Sequence, residues 1–335
     1  MVAVAPEARI SIVVEWENAL LSEGERSAAM LRELRRQATE IAARPSDHFA
    51  VTLGRPLFEV LIVYDEAEFD KHALAALLAR CMGEADDILR WRLLPAGDSS
   101  YYGNKNLGAS AAAGDIVVFV DSDVVPEADW LAQILTALDD PAVKIVTGNT
   151  YIEPEGLVGK VFALSWFFPL RSEDGSLQRV QSFFANNLAM RRIFCEQHPF
   201  PDLRGTSRGA CIVLASQLAR ENIPVFLNPR ARVAHPAPNG FSHISKRALA
   251  QGRDRLFRER RYGSPGSASW LASTSRLAYH WSVSAWKICT GCRRVGLNPL
   301  LIPAAAAVAT YYYLLYWAGE MMSHLRIPAI QRIRI

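Results

Sequence analysis

The run AGDIVVFVDSD, residues 113–123, is the stretch whose reading decides the fold. Ile116, Val117, Val118, Phe119 and Val120 form an unbroken apolar series behind the helix-breaking Gly114. A short continuous series of this kind marks a strand buried on both faces of a sheet. It runs directly into Asp121-Ser122-Asp123. Two carboxylates one residue apart at the end of a buried strand repel each other unless a cation relieves them. A hard divalent ion with oxygen ligands would do so and keep positions open for a diphosphate. For D-x-D alone, a solvated turn or a helix N-cap by Asp123 is the plain structural alternative.

Working outward, residues 10–14 read as a second buried strand, and 27–43 as a helix with Leu31, Leu34, Ala38 and Ile41 on one face. Residues 57–64 read as a strand ending at Asp65, 72–82 as a helix, 90–94 as a strand and 106–113 as a helix of small residues. Nearly all-apolar strands alternating with helices imply an α/β fold, an open and mostly parallel sheet covered on both faces. Ligands of such sheets gather at the carboxyl ends of the strands, where Asp65, Asp121 and Asp123 all fall. Beyond the D-x-D the pattern is less regular, with strand pieces at 144–147, 188–191 and 225–227 and a helix at 212–220.

The 335 residues are 50% hydrophobic and 21% charged, which suits one large domain with an appendage and excludes a disordered chain. A net charge of +3 points to no particular partner. Five scattered cysteines do not make a disulfide framework. Cys289 and Cys292 form a C-x-x-C that lacks a second ligand pair for zinc, and fit an apolar setting in a reducing compartment. The N-terminus shows no basic segment followed by a long apolar one, so no signal peptide is expected and the catalytic part is expected to face the cytoplasm.

Several segments in order resemble family 2 glycosyltransferases. Gly103-Asn104-Lys105-Asn106-Leu107-Gly108 is similar to that family's A/G-x-[RK]-N-x-G turn and helix. Ala113-Gly114-Asp115 opens a strand as its small-Gly-Asp does, and Asp121-Ser122-Asp123 is followed by Pro126 and Trp130-Leu131. The resemblance extends over residues 10–235 and implies the GT-A fold. It implies a donor site of Asn18, Asp65, Lys105, Asn106, Asp121, Ser122 and Asp123, with Asp65 on the nucleotide base. Asn186 and Asn187, within a segment similar to G-N-x-a-x-R-R, are implied on the acceptor side. His235, closing PRARVAH, is implied as a metal ligand beside Asp121 and Asp123, for Mn2+ or Mg2+.

Two departures stand out. The first strand ends in Glu15-Trp16-Glu17-Asn18, keeping only the asparagine of the family's P-T-Y-N. The acidic pair that supplies the family's catalytic base is replaced by Ala210-Cys211. Transfer to a hydroxyl needs a base within hydrogen-bond reach. Asp202 is the first substitute, and Glu173 and Asp174 are weaker ones, while a thiol such as Cys211 reads as core. An acceptor already ionised, such as a lipid phosphate, would need no base.

The tail carries a different signal. Residues 295–319 hold no charge for 25 positions, long enough to span a bilayer, and Tyr311, Tyr312, Tyr313, Tyr316 and Trp317 suit headgroup depth. A buried hairpin or an interfacial helix is the alternative. Residues 270–286 resemble an interfacial helix, and the basic run from Lys246 to Arg261 fits either a solvated face or anionic lipid. No nucleic-acid motif accompanies it.

The expected organisation is a catalytic domain at 1–245, a basic interfacial region at 246–294, a transmembrane or membrane-embedded helix at 295–320 and a basic tail at 321–335. The expected partners are a UDP- or GDP-sugar, a glycan or lipid-linked acceptor in cell-envelope synthesis, and the inner membrane; nucleic acid is not among them. A nucleotidyltransferase, or a catalytically impaired nucleotide-sugar-binding scaffold, is the rival reading.

Overall fold

The computed structural model describes residues 10–20, 24–43, 57–97, 99–203, 206, 208–238 and 240–333. The chain divides into two compact units. The first comprises Met1–Thr150, Arg171–Asp202 and Leu214–His235; the second comprises Tyr151–Leu170, Leu203–Val213 and Pro236–Ile335.

The strands are β1 (Ile10–Glu15), β2 (Phe58–Tyr64), β3 (Leu89–Pro95), β4 (Ile116–Asp121), β5 (Val125–Pro126), β6 (Ile145–Ile152), β7 (Gln178–Val180), β8 (Asn187–Arg191) and β9 (Val225–His235). Among the described residues the α-helices are α1 (Gly24–Ala43), α2 (Lys71–Met82), α3 (Tyr101–Ser110), α4 (Trp130–Thr136), α5 (Gly156–Ser165) and α6 (Arg192–Gln197). They continue with α7 (Ala210–Arg220), α8 (Gly240–Tyr262), α9 (Trp270–Gly291), α10 (Ile302–His324) and α11 (Pro328–Gln331).

In the first unit the strands order as β3-β2-β1-β4-β8-β6-β9-β5, with β7 on β9. From β3 to β4 every pairing is parallel, and this is the half that the apolar runs made legible. Beyond β4, β8 runs antiparallel to β4 and β6, and β9 antiparallel to β5 and β7, so the sheet is mixed. All six residues of β1 and all six of β4 are buried, as strands covered on both faces require. Each apolar side chain so buried contributes about 1.5–3 kcal/mol.

Helix placement follows from small residues and caps. Ser100 caps α3 by accepting from the Gly103 N–H, so the helix starts five residues before the sequence pattern suggested. At Gly108, α3 lies so close to β1 that a Cβ would stand 2.3 Å from Val13 Cγ1. At Gly114 a Cβ would stand 2.7 Å from the Ser11 backbone nitrogen, and the Gly114 N–H donates to Ser11 Oγ at 2.8 Å. Asp70 caps α2 through the Ala73 N–H at 2.7 Å.

The second unit is helical. On α8, a Cβ at Gly252 would meet the Tyr316 carbonyl oxygen at 1.9 Å, and one at Gly319 of α10 would meet that of Leu249 at 2.1 Å. The two backbones therefore touch. The α5 segment joins them: Tyr313 Oη donates to the Ser165 carbonyl at 2.5 Å, and Trp166 Nε1 to Tyr312 Oη at 2.8 Å. Pro299–His324 is long and apolar enough to cross a membrane, with mean hydropathy 1.4.

Candidate functional site

Parallel pairing of β1 with β4 sets Glu15 opposite Asp121, so two acids end adjacent strands side by side. The Ser122 N–H donates to the Glu15 carbonyl at 3.1 Å and locks this end of the pair. Asp121 is 3% exposed and collects three donors, two from α3 and one from the turn after β1. Lys105 Nζ lies 2.5 Å from Oδ1, Tyr101 Oη 2.7 Å from Oδ2, and Asn18 Nδ2 3.0 Å from Oδ2. Lys105 is itself fully buried, its ammonium also 4.8 Å from the Tyr101 ring centroid. Tyr101 and Lys105 meet because they stand four residues apart on one face of α3. Asn18 reaches Glu15 Oε2 as well, at 3.2 Å.

The other carboxylate of the D-x-D faces elsewhere. Asp123 Oδ2 lies 3.6 Å from His235 Nε2, and both residues are buried. Arg26, near the start of α1, donates to the Asp123 carbonyl at 2.5 Å and to that of Ala234 at 2.7 Å. One guanidinium thus fixes the end of β9 against the loop after β4. Between the two acids, Ser122 Oγ is buried without a partner among the described residues. Asp65 follows β2, beside β1, and accepts from the Ala67 N–H at 2.8 Å in a tight turn. Among the described residues no group of three or more His, Cys, Asp or Glu converges as a metal site, Cys289 and Cys292 included.

Residues 32–197 match the family model for glycosyl transferase family 2. The chain carries a family 2 glycosyltransferase domain. Its enzyme class is therefore glycosyltransferase, and the nucleotidyltransferase reading falls away. No curated protein matches the chain. Mannosyltransferase PcManGT from Pyrobaculum calidifontis, in complex with GDP-Man and Mn2+, is similar in structure. Its TM-score is 0.53 at 18% identity, over 96% of this chain and 88% of that one, a likeness of fold. TarS 1-349 of S. aureus in complex with UDP-GlcNAc aligns with a TM-score of 0.49 and 13% identity, over 95% of this chain and 92% of that one.

Elsewhere in the glycosyltransferase, the asparagines expected at the site are tied into the fold. Asn106 grips the Phe200 backbone from both ends of its amide, at 2.8 Å to the carbonyl and 3.0 Å from the N–H. Asn187 accepts from Trp130 Nε1 at 2.8 Å and donates to the Ala231 carbonyl at 2.9 Å, which engages both ends of its amide. Asn186 accepts from Thr150 Oγ1 at 3.0 Å. Asp202 is exposed, two residues beyond the Phe200 clamp. Ala210 and Cys211, at the start of α7, are buried, as expected of core. Sequence reasoning assigned no role to Glu15, Tyr101 or Arg26. Tyr101 was within reach had α3 been started at its Ser100 cap; Arg26 carried no such signal.

Proposed function

We propose that this glycosyltransferase moves a sugar from a UDP- or GDP-sugar, with a divalent metal, to a glycan or lipid-linked acceptor at the cytoplasmic face of the inner membrane. The observation that carries the donor site is the buried cluster of Asp121, Lys105, Asp123 and His235 at the strand ends. Lys105 already neutralises Asp121, so the metal falls to Asp123 and His235. One carboxylate and one imidazole fit an ion that takes its remaining ligands from the diphosphate and water. The unpartnered Ser122 hydroxyl between them supports a polar ligand there. A protein of the same fold holding GDP-Man and Mn2+ supports the same choice.

When bound, the metal would supply positive charge to the leaving diphosphate. The chain's own residues do the rest. Asp65 accepts from the nucleotide base, and Lys105 and Tyr101 hold Asp121 at the nucleotide. Asn186 lies toward the acceptor. Asp202 takes the proton from the acceptor hydroxyl, and the transfer inverts the anomeric centre as its family resemblance implies. The Asn106 clamp on Phe200 sets the position of that segment. Replacement of the acidic pair by Ala210-Cys211 favours a second reading, a nucleotide-sugar-binding scaffold without turnover.

Calorimetric titration of UDP- and GDP-sugars with Mn2+ into the detergent-solubilised protein tests the donor site. Binding that requires the metal and disappears in Asp123→Ala/His235→Ala is the expected outcome; absence of binding to the folded protein would reject the transferase chemistry. Turnover that falls more than about a hundredfold in Asp202→Asn identifies the base. Full turnover in that variant would assign an acceptor that arrives ionised, and binding without turnover in the parent protein would assign the scaffold.

A further inference from the structure

Exposed apolar side chains concentrate in the second unit. Leu271, Tyr279 and Trp286 are 77%, 64% and 65% exposed and fall on one stripe of α9. Leu300, Tyr311 and Leu314 are exposed in and before α10. From residue 270 to 314, the only exposed charged residues are Arg293 and Arg294, both in the turn between α9 and α10. A helix facing water in the same protein looks different: α1 covers its outer face with Arg32, Glu33, Arg36 and Glu40 in ion pairs. Between Glu259 and Glu320 the sequence contains no acid and six cations, Arg260, Arg261, Arg276, Lys287, Arg293 and Arg294. An uncharged aromatic face bordered only by cations complements the headgroup region of an anionic bilayer.

The packing of α10 bears on how it meets that bilayer. Its backbone touches α8, which carries Arg247, Arg253 and Asp254 buried and five further cations along its length. On its other side Glu320 is buried against Arg276 of α9, with Nη2 2.6 Å from Oε2. Early α9 meets late α10, Ser273 with His324, and Trp281 meets Thr310 farther back, so the two helices run antiparallel. For α10 to cross a bilayer in this packing, these charged partners would have to sit among acyl chains.

From this arrangement we infer that the outward faces of α9 and α10 lie in the plane of an anionic membrane surface, and that α10 does not cross it. The inference rests on the membrane placement proposed above and specifies its form.

The test is flotation of the full-length protein, carrying a C-terminal epitope, with phosphatidylcholine vesicles prepared with and without phosphatidylglycerol. Expected are flotation chiefly with the anionic vesicles, release by alkaline carbonate, and an epitope open to added protease on the side of the catalytic domain. Leu271→Ser/Trp286→Ser should lower the floated share by about fivefold with donor binding unchanged, since affinity follows buried apolar area. Cys289 is exposed while the other four cysteines are buried, so a nitroxide placed there should report the interface in the unmutated sequence. Carbonate-resistant protein with its epitope on the far side overturns the inference in favour of a span. No flotation, with concentration-dependent dimers lost in the double variant, overturns it in favour of a second copy seated on this face. Calorimetry on the same preparations separates either failure from failure of the donor site.

Discussion

Lys105 and Asp121 show what a single buried pair asks of its surroundings. A carboxylate taken out of water is tolerable only when charge and hydrogen bonds replace the lost solvent, and here an ammonium, a phenol and an amide all do so. Lys105→Met leaves the carboxylate without its cation and should cost about 3–5 kcal/mol in chemical denaturation. Lys105→Met/Asp121→Leu should recover most of that stability while remaining inactive. A second residue-scale prediction concerns acid. The Arg35 guanidinium, 2.5 Å away, holds the Asp86 carboxyl down to about 2 from an ordinary 3.8, mainly through its hydrogen bond. A depressed folded-state pKa stabilises above the unfolded value, so this contribution fades as pH falls from about 4 to about 2. The pair is partly exposed, so Arg35→Ala should remove less than about 1 kcal/mol, and that only above this window, in stability measured against pH.

At the scale of elements, α3 is held against β1 by the absence of a side chain at Gly108. Gly108→Ala should destabilise by about 1–3 kcal/mol through overpacking on Val13. Val13→Ala in the same chain should recover part of the loss, a coupling that a double-mutant cycle in denaturant would measure. The Asn106 clamp makes a functional prediction. Asn106→Leu keeps the volume but gives up both bonds to Phe200, so turnover should fall more than nucleotide-sugar affinity. Equal losses in both would show that Asn106 acts at the donor instead. Asn106 lies in the segment that resembles the family, where the resemblance implies a donor role, and its amide is bonded to the Phe200 backbone.

At the scale of the whole molecule, the C-terminal helices are not a detachable anchor. The second unit includes Tyr151–Leu170, so α5 packs with α10 although a long stretch of sequence separates them. Deleting residues 299–335 would strip Phe162 and Trp166 of Tyr312 and expose the face of α8 that α10 covers. Such a truncation should aggregate on size-exclusion chromatography rather than yield a soluble catalytic domain. The expected division at residue 245 was read from hydropathy along the chain, which contains no term for what an apolar face packs against.

What the sequence by itself determined is the parallel half of the sheet, the D-x-D at the end of its central strand, and the family. These are local or periodic: an apolar run names a buried strand, and ordered motifs within a short span name a lineage. Tertiary structure decided the antiparallel half, where strands β6, β8 and β9 are assembled from distant segments with weaker patterns. It also decided that Asp121 pairs with Lys105 and Asp123 with His235, and that the long apolar α10 touches a highly basic helix. Those outcomes depend on which side chains meet across the fold, and residues far apart in sequence leave no periodic trace of their meeting.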